Sequence, residues 1–284
     1  MDPIGVGIIS FDRPQYLGQL LASLEAQRDA PPIEYHLFQD GAVNRYSGRT
    51  VGDAGRIQEA TALFLDARLG PGNVTHIRAD NVGIGINQFE AYELMVANYQ
   101  RIVMLEDDVV LSPYWGRLLP MLFDGLEQRP DVFGFSTGFK RRCAPQDIEA
   151  NLDRVATIHS HWWMVAFTPE RWACIRPHYL RYYELIRECD YGHIPHTQIH
   201  ELFQAVGCGC HASSQDAGKD MAVHLAGMCR ALPIVNRGIS IGREGVHFNP
   251  YVFERLGFED QEPYVFESDA TRTAFEWVKE QVRS

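Results

Sequence analysis

The feature that most constrains this chain is RIVMLEDDVVLSPY, residues 101–114, where an apolar run ends abruptly in three consecutive carboxylates. Ile102, Val103, Met104 and Leu105 form the short continuous hydrophobic run of a strand buried on both faces of a parallel sheet. Three acids, Glu106, Asp107 and Asp108, follow with no spacing between them. Burying them on one strand end without partners would cost too much. A divalent cation offsets that cost, and hard ions such as Mg²⁺ or Mn²⁺ take oxygen ligands. The carboxyl end of a parallel strand is also where open α/β sheets bind their ligands. The plain alternative is an acidic turn that only caps a strand, so the surrounding sequence has to decide.

Residues 4–10, IGVGIIS, read as a first buried strand, and Pro14 suits the start of a helix over 15–27, with apolar positions at helical spacing. A second strand is expected at 35–38, ending in Gln39-Asp40-Gly41. Strand, helix and strand in this order indicate a βαβ unit with a right-handed crossover. A helix over 56–68, a strand over 73–78, a glycine-bearing turn at 81–87 and a helix over 88–98 then deliver the chain to the acidic strand. The glycines match neither a dinucleotide fingerprint nor a P-loop. Further strands are expected at 133–137 and 234–241, and helices at 215–230 and 271–282. No repeat, low-complexity tract or linker divides the chain, so both halves are expected to share one sheet.

The formal charge of −11 argues against a nucleic-acid backbone as principal partner. No stretch approaches the roughly 20 apolar residues of a membrane span. The six cysteines, at 143, 174, 189, 208, 210 and 229, show no disulfide-framework spacing and read as reduced thiols. With no charged leader, the expectation is a cytoplasmic protein. His193, His196, His200, Cys208, Cys210 and His211 lie close in sequence, but their spacing matches no standard zinc motif.

Five features fall on strand ends in sequence order: Asp12-Arg13, Gln39-Asp40-Gly41, Asn81-Val82-Gly83, Glu106-Asp107-Asp108 and residues 242–247. This arrangement resembles the nucleotide-sugar glycosyltransferases of the GT-A fold. Asn81-Val82-Gly83 with Asn87, then Leu105 to Asp108 and Pro113, is similar to the pattern of the large inverting family that includes the cellulose and chitin synthases. The nearer resemblance is to the N-acetylglucosaminyltransferase I-like family. Its CDR turn, QDCG, EDD followed by proline, WDDW and R…FGxxGV correspond here to Phe11-Asp12-Arg13, Gln39-Asp40-Gly41, Glu106-Asp107-Asp108, Gln215-Asp216 and Arg237 followed by Ile241 to Val246. The fold it implies is α/β, a Rossmann-like, mostly parallel twisted sheet flanked by helices. Residues 1–140 would bind the donor, 141–258 would bind the acceptor and carry catalysis, and 259–284 would form a tail and helix.

The resemblance also implies roles. Ser10, Arg13, Asp40, Asn81, Gly83, Glu106, Asp107 and Arg243 would bind the nucleotide sugar, with Arg13 on the diphosphate or base and Asp40 accepting from the base. Asp108 and His247 would hold Mn²⁺ or Mg²⁺, although the N-glycan relatives lack a histidine at the latter place. Asp216 or Asp220, one helical turn apart, would take the acceptor proton. His161, Trp162 and Trp163 would contact the acceptor, where the relatives have a glycine-containing loop. The activity implied is inverting transfer from a UDP-sugar to a small molecule, natural product or glycolipid, by a protein that could be a homodimer. A catalytically inactive sugar-nucleotide-binding protein and a nucleotidyltransferase are the alternatives.

Overall fold

The computed structural model describes residues 2–136, 148–158, 162, 164–210, 212–245, 249–255 and 275–281. In chain order the elements are β1 (Ile4–Ser10), α1 (Pro14–Glu25), β2 (Ile33–Gln39), α2 (Ala54–Asp66), β3 (Val74–Ile77), α3 (Ile84–Asn98), β4 (Ile102–Glu106) and β5 (Val109–Leu111). They continue with α4 (Trp115–Glu127), β6 (Val132–Ser136), α5 (Ile148–Asn151), β7 (Arg154–Ile158), β8 (Met164–Phe167), α6 (Pro169–Ile186) and α7 (His196–Ala205). The last are α8 (Gln215–Leu225), β9 (Cys229–Pro233), β10 (Gly238–Ser240), α9 (Pro250–Arg255) and β11 (Glu276–Gln281).

One nine-stranded sheet runs β11-β7-β9-β6-β8-β4-β1-β2-β3 through both halves of the sequence. β1 lies at the centre of its parallel half, between β2 and β4, and all seven of its residues are buried. Alternation along the strands sends side chains to two cores. Val6, Ile8, Val103 and Leu105 pack with Leu17, Leu20 and Leu24 of α1 and Leu118 and Leu122 of α4. Ile102 and Met104 face the other way, onto Tyr92 and Met95 of α3, Trp172 and Tyr179 of α6 and Met221 of α8. The result is a helix–sheet–helix sandwich whose strand ends open on one side. The mostly parallel sheet expected is observed: β3 to β4 run parallel, as do β6 with β9 and β11 with β7, while β8 is antiparallel to both β4 and β6 and β7 is antiparallel to β9. No helix among the described residues is long and apolar enough to cross a membrane.

Four expectations need correction. The helix expected over 215–230 ends at Leu225, with Cys229 and Arg230 already in β9, and the strand expected over 234–241 is confined to Gly238–Ser240. The helix over 88–98 begins four residues early, at Ile84, because the turn before it is fixed by hydrogen bonds described below. The helix expected over 271–282 is instead a strand over its described part, β11, paired in parallel with β7. Its Trp277 lies 5.6 Å from the Phe135 ring and beneath the Arg129 guanidinium at 4.2 Å. An open sheet edge with these contacts overrides a local helical pattern.

Between β2, β3 and α3 runs a one-way hydrogen-bond chain. His76 Nε2 donates to His36 Nδ1 at 3.0 Å, His36 Nε2 donates to Tyr99 Oη at 2.6 Å, and Tyr99 donates to Glu34 at 2.6 Å. This set of tautomers is the one that satisfies every donor. Burial, with His76 beside it, lowers the pKa of His36 to about 4 although Glu34 pulls the other way. An unfolded histidine takes its proton near pH 6.5, so between about 6.5 and 4 the unfolded chain binds a proton the folded one refuses. That contribution to stability is complete above this window and is lost as pH falls through it, by on the order of 2–3 kcal/mol. Urea unfolding at stepped pH is expected to show this loss, and His36→Gln is expected to remove that part of the pH dependence.

Candidate active site at the strand ends

β4 stops at Glu106, and the two carboxylates that follow turn toward the segment leaving β1. Arg13 occupies the position before α1, immediately ahead of Pro14. Its guanidinium spans both acids: Nη1 donates to Asp108 Oδ2 at 2.8 Å and Nη2 donates to Asp107 Oδ1. Asp107 Oδ2 also accepts the Phe11 backbone N–H at 3.3 Å. A planar fork with five donors suits this bridging better than an ammonium. Burial works against the charge of Arg13, yet Asp107, Asp108 and Glu106 outweigh it and raise its pKa.

One guanidinium does not balance three acids. Burial pushes Asp107 up to about 6 against the pull of Arg13, with Asp108 adding to the rise. Glu106 is raised well above the carboxylate range by burial, then by Asp216 and Asp108, while Lys219 and Arg13 partly offset this. Glu106 Oε1 and Asp108 Oδ1 are buried with no hydrogen-bond partner. Ser10 Oγ and Gln39 Oε1 are in the same condition. These four belong together: Ser10 pairs with Gln39 across β1 and β2, and Ile9 pairs with Glu106 across β1 and β4. Unsatisfied buried polar atoms are rare in folded proteins and ask for an explanation. Others occur elsewhere, Asn73 Oδ1, Ser112 Oγ and Tyr179 Oη among them, but these four adjoin one another at neighbouring strand ends.

The late segment reaches this place because β10 pairs antiparallel with β5, setting Ser240 opposite Val109. Ile241 N–H then donates to the Asp108 carbonyl at 2.7 Å. Gly242 is so close that a Cβ on it would lie 2.1 Å from Asp108 Oδ2. Only glycine fits there. Arg243, expected at the donor, turns away instead and pairs with Glu254 on α9. His247 lies outside the described residues, as do His161 and Trp163.

Asp40 is used differently from the expectation. Its Oδ1 accepts from the N–H groups of Gly41 (3.0 Å) and Val82 (2.9 Å), and its Oδ2 from Asn81 Nδ2 (2.9 Å) and Gly83 N–H (3.0 Å). A carboxylate has about four acceptor directions. All are taken, so none remains for a base. Burial nevertheless raises its pKa, against the three backbone N–H groups and Arg78. Gly83 has a φ of 82°, a conformation that glycine adopts without strain, and a Cβ there would meet Tyr191 at 2.9 Å. Asp40 therefore fixes the turn that leads into α3, whose cap residue, Gly83, has no side chain to cap with.

On the other side of the sheet, α8 starts at a Ser214 cap and carries both candidate bases. Asp216 is one-third exposed and ion-paired with Lys219 Nζ at 2.8 Å, while the hydrogen bond of Lys219 goes to Gln88 Oε1 at 2.7 Å. Asp220 Oδ1 accepts from Trp162 Nε1 at 2.8 Å and from Arg230 Nη2 at 2.7 Å. Its pKa is raised by burial, with Arg230 and Trp162 opposing. Trp162 itself is buried, with Arg230 4.0 Å and Lys219 4.7 Å from its ring centre. Two cations already occupy that aromatic ring, so Trp162 is a core residue rather than a stacking platform for an acceptor. Lys219 and Arg230 are the participants the sequence reasoning missed. Lys219, one of three lysines in the chain, stands at i+3 from Asp216, a spacing that would have flagged the pair.

Among the described residues no three histidine, cysteine, aspartate or glutamate side chains converge as a metal-binding group. Asp108, with its unpartnered Oδ1, and Glu106 are the groups that fit a hard cation whose remaining ligands would come from phosphate and water.

No protein-family model and no curated protein sequence matches the chain. Among solved structures, S. aureus TarS residues 1–349 in complex with UDP-GlcNAc matches with a TM-score of 0.50 and 13% identity, over 87% of this chain and 60% of that one. The fold is GT-A. The chain thus spans about three-fifths of the TarS fragment it matches. Galactosyltransferase LgtC in complex with donor and acceptor sugar analogs aligns at a TM-score of 0.41 and 14% identity, over 76% of this chain and 69% of that one.

Within this GT-A chain, Asp40→Asn places an amide where two N–H pairs converge. It is expected to lower unfolding free energy by about 2–3 kcal/mol. Urea denaturation at neutral pH measures it.

Proposed function

We propose that the chain is a metal-dependent glycosyltransferase that moves a sugar from a UDP-sugar to an acceptor hydroxyl with inversion. The observation that carries the reading is the group of orphaned polar atoms, Ser10 Oγ, Gln39 Oε1, Glu106 Oε1 and Asp108 Oδ1, at adjoining strand ends of a GT-A sheet. A nucleotide sugar with its cation supplies partners for such atoms. The UDP-GlcNAc held by TarS, and the N-acetylglucosaminyltransferase I-like order of motifs, support a UDP-sugar as donor. A bound Mg²⁺ or Mn²⁺ would act as a Lewis acid on the diphosphate leaving group.

The residues divide the work. Asp108, assisted by Glu106, would hold the cation. Arg13 keeps Asp107 and Asp108 oriented and stands ready to meet phosphate oxygens. Ser10 and Gln39 face the nucleoside, and Asp40 acts at one remove by fixing Asn81, Val82 and Gly83. Asp216 is the better base of the two. Asp220 is held by Trp162 and Arg230, whereas Asp216 is near enough to Glu106 to raise its pKa and keeps an exposed oxygen. Lys219 fixes the Asp216 charge without covering it. A carboxylate placed so takes the hydroxyl proton as the bond to the anomeric carbon forms, for a factor of roughly 10²–10⁴.

UDP release from a panel of UDP-sugars, with and without EDTA, tests the reading. Chelation and Asp108→Ala are each expected to lower turnover at least about 100-fold, an effect of a few kcal/mol on the barrier; unchanged turnover in both would overturn it. Asp216→Asn is expected to cut kcat by about 10²–10⁴ while calorimetric binding of UDP with Mn²⁺ stays within a few-fold. If Asp220→Asn shows that split instead, the base assignment moves to Asp220.

A further inference from the structure

We propose that Cys208 and Cys210 form a reversible dithiol–disulfide site, oxidised by exchange with a low-molecular-weight disulfide such as oxidised glutathione. The inference is independent of the glycosyltransferase reading, since the pair lies in the connection between α7 and α8. After α7 the chain turns through Gly207, at a φ of 70°, and Cys208 N–H returns to the Phe203 carbonyl at 2.9 Å. Gly209 follows, and a Cβ on either glycine would meet nothing within 4 Å. The Cys-Gly-Cys backbone is thus free to bend. The two sulfurs already stand 3.0 Å apart. A disulfide bond is about 2.05 Å long, so closure asks for a movement of about 1 Å.

Both thiols are partly buried but reachable from solvent, while the other described cysteines with sulfur contacts face carbonyls, Cys189 that of Leu185 and Cys229 that of Asp131. Burial, with Cys208 beside it, pushes the Cys210 thiol up to about 12. The order of steps follows from this. Cys208 attacks the external disulfide as thiolate, releasing one thiol and forming a mixed disulfide. Cys210 then loses its proton and attacks the Cys208 sulfur, releasing the second thiol. In sum two cysteine thiols are oxidised to one disulfide, and one external disulfide is reduced to two thiols. Oxidation also removes the S–H that Cys210 directs at the Ala217 carbonyl, 3.7 Å away in the first turn of α8.

The test equilibrates the purified full chain in glutathione buffers from fully reduced to fully oxidised, traps free thiols with N-ethylmaleimide and weighs the peptide that holds both cysteines. At the reduced end both are expected to carry the label. At the oxidised end the peptide is expected unlabelled and lighter by two hydrogens, reverting with dithiothreitol. Persistent double labelling, one glutathione on each sulfur, or pairing of either with another cysteine overturns the proposal. In Cys208→Ser the loss of two hydrogens is expected to vanish, and in Cys174→Ser it is expected to persist; the reverse pattern also overturns it.

Discussion

At the carboxyl end of β4, Glu106, Asp107 and Asp108 are set against a single guanidinium in a place that water barely reaches, and much of the molecule is arranged to keep them there. β1 must be buried throughout so that Phe11 and Arg13 leave it beside β4. β5 and β10 must pair so that Gly242 closes over Asp108. At an effective dielectric near 20, two unit charges 4 Å apart interact by about 4 kcal/mol. Burial adds to that cost and is the larger part of it: it raises Asp107 and Glu106 against the pull of Arg13, and Asp108 adds to the rise in each. Strongly perturbed acids gathered at the carboxyl ends of parallel strands mark a candidate site that folding alone does not explain.

A second charged group sits across the site. Asp216 and Asp220 face Lys219 and Arg230, here in equal numbers of either sign. The two groups are coupled through Glu106, which responds to Asp216 and Lys219 as well as to Asp108 and Arg13. Under the proposed function, the residue that would assist the cation and the candidate base would thus be close neighbours.

How much of this was written in the sequence depends on how local each cause is. β1 was legible to the residue, because a seven-residue apolar run between polar turns has one reading. The acid triplet was legible from its position after a strand, but Arg13 was expected on the nucleotide, and only the fold shows that it bridges Asp107 and Asp108. Asp40 was found but its job was not, since only the fold shows that residues 81–83 fill its oxygens. Trp162 read as a candidate platform because sequence shows an aromatic ring but not the two cations placed against it. β11 was misread because its structure is decided by the bare edge of β7 and by Phe135 and Arg129, none of them nearby in the chain. The His/Cys-rich stretch matched no zinc spacing, but nothing local in it announced that Cys208 and Cys210 would meet sulfur to sulfur.

The parallel pairing of Glu276 with Arg154 also carries a consequence for biogenesis. When β7 leaves the ribosome, the segment that will flank it has yet to be translated, and every element from β8 to α9 emerges in between. Contacts this distant along the chain form late, and an uncovered strand margin invites foreign partners in the meantime. Until β11 arrives, β7 is an edge strand, a condition that its pairing with β11 ends.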